Sequence, residues 1–359
     1  MSGTAERTES MAGGGPGVAA LASRALVPIA AVAVILVLLP TVWFEDSPYT
    51  TSLAVKALLF AAYGIGFNLI FGCTNQLFLC VGALAGIGGY TTAILADRSS
   101  LPIAASIALA VAGATVVGGL LSWIAVRRSL GVIFTGIVTL VFSLAFANFL
   151  LGQRDLTGSE TGLVLTGTPS RIADDQVGGY YLFVGVVVGF LLIFRALQLS
   201  HIGWAFRGLR DDEMAAELAG VDVARYRVYA ATVGSAMIGL AGAVYAYSAG
   251  FVSPDTYAFQ SVDVRVLVLV AFGGLGALLG PVIGAGVLAV VDERLTTAQG
   301  EIWGFDVIQL REFLYGVFVI AIFLFFRRGV VHAVVAVARR AGDRRRRETG
   351  PPTPAPSEH

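Results

Sequence analysis

Charged residues are scarce in this sequence. Of its 359 residues only 13% are Asp, Glu, Lys or Arg, whereas soluble domains contain about 25%. Hydrophobic residues make up 56% of the chain, and the mean hydropathy is +0.79. A water-soluble protein of this length would need more polar side chains to cover its surface. The composition therefore argues against a soluble enzyme and predicts an all-α membrane protein with many spans.

Lysine, cysteine and histidine are also rare. Lysine occurs once, at Lys56, without the glycine-rich approach of a P-loop, so the chain cannot bind ATP through that motif. The two cysteines, Cys73 and Cys80, have no neighbouring histidines, and the three histidines lie far apart. This pattern offers no catalytic constellation, no metal site and no cofactor. We expect neither enzymatic activity nor nucleic-acid binding.

Apolar runs, by contrast, are long and frequent. A bilayer core about 30 Å thick needs about 20 residues of helix at 1.5 Å per residue. Ten candidate spans follow, of which the two between 262 and 293 are short and broken by glycines and Pro281. The spans are 26–44, 53–72, 77–96, 101–126, 130–151, 180–197, 227–248, 262–277, 279–293 and 312–326.

The arginines between these spans predict the orientation. Basic residues in short loops stay on the cytoplasmic side, and an even number of spans separates each arginine cluster from the next. We therefore expect ten crossings of the inner (plasma) membrane with both termini cytoplasmic. Residues 1–25 are predicted to be a disordered N-terminus and 26–328 the transmembrane domain. Residues 329–359 are predicted to form a basic, proline-rich tail that can touch anionic lipid.

The segment 201–227 differs from the apolar sequence around it. Its composition favours a helix over 212–219, with Gly220 placed to end that helix and Asp222 placed to cap the next one. Met214 and Leu218 share one face of the predicted helix. A short helix with an apolar stripe and charged flanks is suited to a groove on a soluble partner. The alternative is a connector that lies on the membrane surface.

This segment resembles the permease family of branched-chain amino acid ABC transporters, and specifically its LivM-type subunit. The resemblance is strongest in three motifs, RGLRDDEMAAELAGVDVARYR at 207–227, GSAMIGLAGAVYA at 234–246 and AFGGLGALLGPVIGA at 271–285. It extends in the family's order over about 26–328 through GFNLIFG at 66–72, GIGGYT at 86–91, IVTLVF at 137–142 and LTGSETGL at 156–163.

The resemblance implies import of a small polar solute by a complex of several subunits. Its expected partners are a second permease subunit, two cytoplasmic ATPase subunits, an extracytoplasmic solute-binding protein and membrane lipid. The cytoplasmic loop 198–226 then resembles the coupling segment that docks on the ATPase. The residues that match the coupling pattern are Arg210, Asp211, Asp212, Glu213, Ala215, Ala216 and Gly220.

One departure from the family pattern bears on the solute. Phe78, Leu79, Cys80 and Val81 stand where the family commonly reads Ser-Leu-Gly-His. Branched-chain or related amino acids are the first expectation from the resemblance. The lost hydroxyl, glycine and imidazole keep urea, short amides and aromatic or carboxylate solutes open as alternatives.

Polar residues within spans are costly in lipid, which makes them candidates for the solute pathway. The pathway candidates are Asn68, Gln76, Thr139 and Ser143. Asp263 and Arg265 lie near an external helix end, so we expect each to extend its charge towards the membrane surface. Gly276, Gly280 and Gly284 recur every four residues and predict one helix with a flat face for close packing.

A second class of function is a gradient-driven secondary transporter. Such a protein would need a buried carboxylate or histidine at mid-depth to bind the coupling ion. With Asp263 expected at a helix end, the sequence predicts no such residue. A membrane-embedded enzyme is a distant third alternative.

Overall fold

A computed structural model describes residues 27–38, 48–98, 101–165 and 176–297, with a few positions between 301 and 324. The predicted disordered N-terminus 1–25, the tail 329–359 and most of the span 312–326 lie outside the described residues. The chain divides into two units, 1–46 and 47–359. In the first unit, helix α1 covers Val27–Leu38.

Five helices of the second unit are long and apolar enough to cross a membrane. Each contains an apolar stretch of 18 residues, which corresponds to about 27 Å of helix. This confirms a polytopic helical membrane protein. The five are α2 (Pro48–Phe67, continued as a π-helical turn over Asn68–Gly72), α4 (Ile103–Arg127), α5 (Val132–Gly152), α7 (Gln176–Leu199) and α10 (Val223–Ala249).

Two further helices each begin after a segment that contains no α-helix. Helix α3 (Val81–Arg98) follows residues 75–80, and α11 (Asp263–Gly273) follows residues 250–262, which contain no α-helix. With 11 residues, α11 is about 16 Å long, roughly half the thickness of a bilayer core.

Helix α12 (Gly280–Thr297) returns against α11. A side chain at Gly280 would overlap the backbone of Gly273, and one at Gly284 would overlap the carbonyl of Leu269. These two contacts run in opposite directions along the chain, so α11 and α12 form an antiparallel hairpin. The predicted division of 262–293 into two helices is confirmed, with a turn over 274–279.

Helix α10 lies at the centre of the described fold and packs on α2, α3 and α4. Small residues permit this close approach, because the backbone of Gly239 meets Gly88 of α3 and the carbonyl of Ala85 meets Gly242. In α10, 61% of the 18-residue apolar stretch is buried within the protein, whereas only 22% of the corresponding stretch is buried in α4 and in α5. The outward faces of α4 and α5 are therefore the apolar surfaces that lipid or another subunit covers.

The remaining described elements are short. After α5 come α6 (Arg154–Thr157), a 3₁₀ turn (Ser159–Thr161) and strand β1 (Leu163–Val164). Strand β1 pairs antiparallel with β2 (Phe251–Val252), and β3 (Glu301–Ile302) pairs with β4 (Phe305–Asp306). The first pairing fastens the polar loop after α5 to the segment that leads into α11.

Candidate functional site

The N-termini of α3 and α11 meet at the carboxyl group of Asp263. Its Oδ1 accepts a hydrogen bond from the backbone N–H of Gly82 at 3.2 Å, and its Oδ2 accepts one from Ser143 Oγ at 3.1 Å. The side chain is 1% exposed. The N-terminus of a helix carries partial positive charge and unpaired N–H groups. One carboxyl group therefore serves the starts of two helices, and we call this contact the Asp263 junction.

The junction lies deep within the protein. Ser143 is near the middle of α5 (Val132–Gly152), a helix of membrane-crossing length. The prediction that Asp263 extends to the membrane surface is therefore wrong. Arg265 behaves differently, since its side chain is 40% exposed and its Nη1 lies 3.6 Å from Asp292 Oδ2. The sequence signal for Asp263 is its position as the lone acidic residue of the span 262–277.

Two of the four pathway candidates belong to or contact the non-helical segment 75–80. Gln76 lies in the segment, where its Oε1 accepts a hydrogen bond from Ser122 Oγ at 3.0 Å, and Thr139 Oγ1 accepts the backbone N–H of Leu79 at 2.9 Å. Ser143 instead binds Asp263. All these side chains are buried. Thr139 thus pairs a backbone group of this irregular segment that would otherwise be unpaired in an apolar setting.

Asn68, the fourth pathway candidate, binds a different part of the chain. Its Nδ2 donates to the carbonyl of Ala277 at 2.9 Å, and its Oδ1 accepts the N–H of Gly276 at 2.8 Å. Both ends of the amide thus hold the turn between α11 and α12. The prediction of one helix through Gly276, Gly280 and Gly284 is wrong for Gly276, which lies in this turn with φ of 72°. A left-handed turn residue cannot extend a right-handed helix.

The segment between α7 and α10 contains two helices. Helix α8 covers His201–Asp211 and α9 covers Glu213–Leu218. Sequence reasoning anticipated α9 and missed α8, although Ala205, Phe206 and Leu209 recur at helical spacing and are buried. We call the region from α8 to the first turn of α10 the coupling segment.

The ends of α9 agree with the predicted local structure. Gly220 has φ of 85°, the left-handed conformation expected after a helix. Asp222 Oδ1 accepts the N–H of Arg225 at 2.9 Å and caps α10, as predicted. Asp212 Oδ1 accepts the N–H of Ala215 at 3.0 Å and caps α9. Short-range signals therefore fix this part of the chain.

Helix α9 turns its apolar side chains outward. Met214 is 68% exposed and Leu218 is 83% exposed, whereas Ala216 is buried against the protein. Asp211, Asp212, Glu213 and Ala215 are also exposed. The exposed face therefore combines an apolar stripe with acidic residues at the helix start.

Two contacts connect the coupling segment to the transmembrane helices. Glu213 Oε2 lies 2.8 Å from Arg227 Nη2, and Arg227 Nε donates to the carbonyl of Thr74 at 3.5 Å. Arg210 packs on Gly276 so closely that a side chain there would overlap its guanidinium group. The turn that Asn68 holds is thus also in contact with the coupling segment.

The described residues include no cluster of three or more His, Cys, Asp or Glu side chains that could hold a metal ion. Cys73 and Cys80 are both buried and unbonded.

The profile of a family described as branched-chain amino acid transport system, permease component, matches residues 49–325. The high-affinity branched-chain amino acid transport system permease protein LivM of Escherichia coli (strain K12) is 30% identical over 290 residues, which cover 73% of this chain and 67% of that protein.

More distant relatives are also permeases. The autoinducer 2 import system permease protein LsrC of Salmonella typhi is 23% identical over 282 residues, covering 73% of this chain and 76% of that protein. The high-affinity branched-chain amino acid transport system permease protein LivH of Salmonella typhi is 22% identical over 255 residues, or 67% of this chain and 82% of its own length. No solved structure matches the chain.

Proposed function

The chain belongs to the branched-chain amino acid transport permease family, and from that premise we propose that it is the transmembrane permease subunit of an ABC importer for a small polar solute. The observation that carries this proposal is the coupling segment. It exposes Met214 and Leu218 to solvent while Glu213 and Arg227 tie it to the membrane helices. An apolar stripe with this attachment is suited to receive force from a soluble partner.

In the proposed mechanism, α9 sits in a groove on a cytoplasmic ATPase subunit. Nucleotide-driven closure of two ATPase subunits moves α8 and α9, and the contact of Arg210 with Gly276 passes the movement to the α11–α12 turn. A second permease subunit and an extracytoplasmic solute-binding protein complete the importer. This chain contributes binding and movement, and the ATPase subunits contribute the chemistry.

We propose branched-chain or related amino acids as the solute. Two relatives carry that solute class in their names, while a third is named for import of autoinducer 2. The altered residues 78–81 lie next to the Asp263 junction, so urea, short amides and aromatic or carboxylate solutes remain the competing proposals. Calorimetric binding of each class to the partner solute-binding protein distinguishes them. Selective binding of urea or an aromatic acid would overturn the amino-acid proposal.

The pathway proposal centres on three residues. Gln76 lies in the irregular segment 75–80, Thr139 binds its backbone, and Ser143 binds Asp263. Asn68 contributes by holding the α11–α12 turn. We expect Asn68→Leu to impair transport while the ATPase subunits still co-purify. Loss of the ATPase subunits from the purified complex would instead assign Asn68 to assembly.

The proposed topology is ten crossings of the inner membrane with both termini cytoplasmic. Single cysteines at positions 164 and 335 test it, because Val164 is 61% exposed and the native cysteines are buried. An impermeant maleimide should label position 164 in intact cells and position 335 only after the membrane is opened. Equal labelling of both positions in intact cells would reject this topology.

A gradient-driven secondary transporter is the second candidate, and Asp263 is the observation that favours it. A buried carboxyl group at the depth of Ser143 is the kind of residue that binds a coupling ion. Its two oxygens already have partners in Gly82 and Ser143, which favours a positioning role. Liposomes containing only this chain and an ion gradient should therefore show no specific uptake. Ion-coupled uptake by the chain alone would replace the ABC proposal.

A further inference from the structure

A cavity of about 420 Å³ lies between the end of α7, helix α8 and the end of the π-helical turn of α2. This volume is within the usual range for small-molecule sites. Three arginines line it, and none of its described lining residues is acidic. The lining is formed by Gly72, Cys73, Arg195, Gln198, Leu199, Gly203, Trp204, Phe206, Arg207, Arg210 and Gly276.

Arg195, which lines this cavity, has one hydrogen-bond donor without a partner. Its Nη1 donates to Gln198 Oε1 at 3.3 Å, but its buried Nε has no hydrogen-bond partner. A buried donor without a partner is costly, and more so when the group is charged. An anion in the cavity would lie beside the same guanidinium group and would offset part of that cost through its charge.

The other two arginines are held in place by uncharged groups. Arg207 Nε donates to the carbonyl of Gly203 at 3.2 Å, and its guanidinium lies 4.2 Å from the ring centre of Trp204. Arg210 packs on the backbone of Gly276. Of the acidic residues that follow Arg210, Glu213 is bound to Arg227, and Asp211 and Asp212 are exposed and outside the described lining. Three cations thus share one cavity without an acidic counterpart in its lining, which favours a bound anion.

The position of α8 indicates where the anion comes from. Its buried face carries Ala205, Phe206 and Leu209, and Trp204 on the other face is 71% exposed. Tryptophan and arginine together are typical of helices that lie at the headgroup level of a membrane. The cavity opens beside this helix at the end of α7, where a spanning helix leaves the apolar core.

We propose that this cavity is a binding site for a phosphate-bearing anion, with Arg195, Arg207 and Arg210 as its ligands. A phospholipid headgroup and free phosphate share this chemistry. Because α8 and the α11–α12 turn both contribute to the lining, an occupant would fasten the coupling segment to the membrane helices. The proposal does not depend on which solute the protein carries.

Native mass spectrometry and thermal unfolding of the purified full-length chain test the site. The probes are phosphatidylglycerol, phosphatidylcholine and inorganic phosphate, each titrated into the same detergent. We expect phosphatidylglycerol to bind and raise the unfolding midpoint. Arg195→Gln and Arg207→Gln should each weaken that binding about tenfold, the effect of losing one charged hydrogen bond. Arg225→Gln is the matched control, because it removes one exposed positive charge outside the cavity.

The probes separate the two sources of the anion. Binding of phosphatidylglycerol alone assigns a lipid headgroup, and comparable arginine-dependent binding of inorganic phosphate assigns a soluble anion. Arg207 is exposed, so its variant reports on the site even if Arg195→Gln fails to fold. The proposal is overturned if neither anion binds, or if Arg207→Gln and Arg225→Gln bind both anions with the same affinity as the unaltered chain.

Discussion

The Asp263 junction and the coupling segment use the same residue types in opposite surroundings. At the junction, a carboxyl group is 1% exposed and both of its oxygens have partners within the chain. In the coupling segment, Glu213 forms its ion pair at the surface, where its side chain is 48% exposed. The apolar side chains are reversed as well, since Met214 and Leu218 face solvent.

From this contrast we expect the junction to contribute to folding stability and the exposed face of α9 to contribute to partner binding. Substitutions at the junction would remove buried hydrogen bonds, so these hydrogen bonds contribute to the free energy of unfolding of the chain. The exposed face of α9 contributes little to folding, because its apolar atoms stay exposed in the folded chain. We therefore expect changes at the junction to unfold the permease and changes on α9 to uncouple it.

The largest expected effect on stability comes from Asp263→Ala. The change leaves the N–H of Gly82 and the hydroxyl of Ser143 without their acceptor, which should lower the free energy of unfolding by about 3 kcal/mol. Thermal unfolding in detergent measures the loss. Asp263→Asn keeps one acceptor oxygen and should lose less. Equal midpoints for Asp263→Ala and the unaltered chain would contradict the role of the junction.

Gly82→Ala should have the next largest effect. A Cβ at Gly82 would overlap the carbonyl of Tyr257 and approach Asp263 Oδ2, so overpacking should cost about 1–3 kcal/mol. Gly185→Ala in α7 is the matched control, because nothing lies within 4 Å of the added methyl group. There the better helix propensity of alanine should leave stability unchanged or raise it by up to about 1 kcal/mol. If Gly185→Ala lowered the stability and Gly82→Ala did not, the expected difference between the two positions would be contradicted.

Gly220→Val should have a smaller effect, confined to α9. The position has open space around it, but its φ of 85° costs a side-chain-bearing residue about 1–2 kcal/mol. Asparagine tolerates this conformation better, so the transport rate of Gly220→Asn should be closer to that of the unaltered chain than the rate of Gly220→Val is. Transport rates of the assembled complex measure the difference. If both variants lost transport to the same extent, position 220 would require the absence of any side chain, and the backbone conformation would not explain the effect.

The smallest effect on the free chain is expected for Met214→Ser combined with Leu218→Ser. Because both side chains are exposed, each substitution should change the free energy of unfolding by no more than about 0.5 kcal/mol. Co-purification of the ATPase subunits should nevertheless fall, because the apolar stripe that we propose docks on them is lost. A large fall in the unfolding midpoint, with the ATPase subunits still bound, would place these residues in the core and contradict the comparison.

The sequence predicts local features of this protein better than distant contacts. Gly220 and Asp222 act within a few residues of their own helices, so their roles follow from composition and spacing. The Asp263 junction joins residues 181 positions apart, and nothing in a hydropathy pattern shows that two helices begin inside the protein. Gly276 was misassigned for a related reason, because a repeat of four residues is equally compatible with a helix and with the turn that Asn68 holds.

The most direct test of the coupling role is Glu213→Lys in the complete transporter, reconstituted with its ATPase subunits and solute-binding protein. The change replaces the ion pair with Arg227 by repulsion and places positive charge at the start of α9, where the helix dipole disfavours it. Membrane insertion should remain normal, while solute uptake and solute-stimulated ATP hydrolysis fall together, because one contact transmits both. Uptake and hydrolysis at the unaltered rates, in a normally assembled complex, would show that this segment does not couple the two.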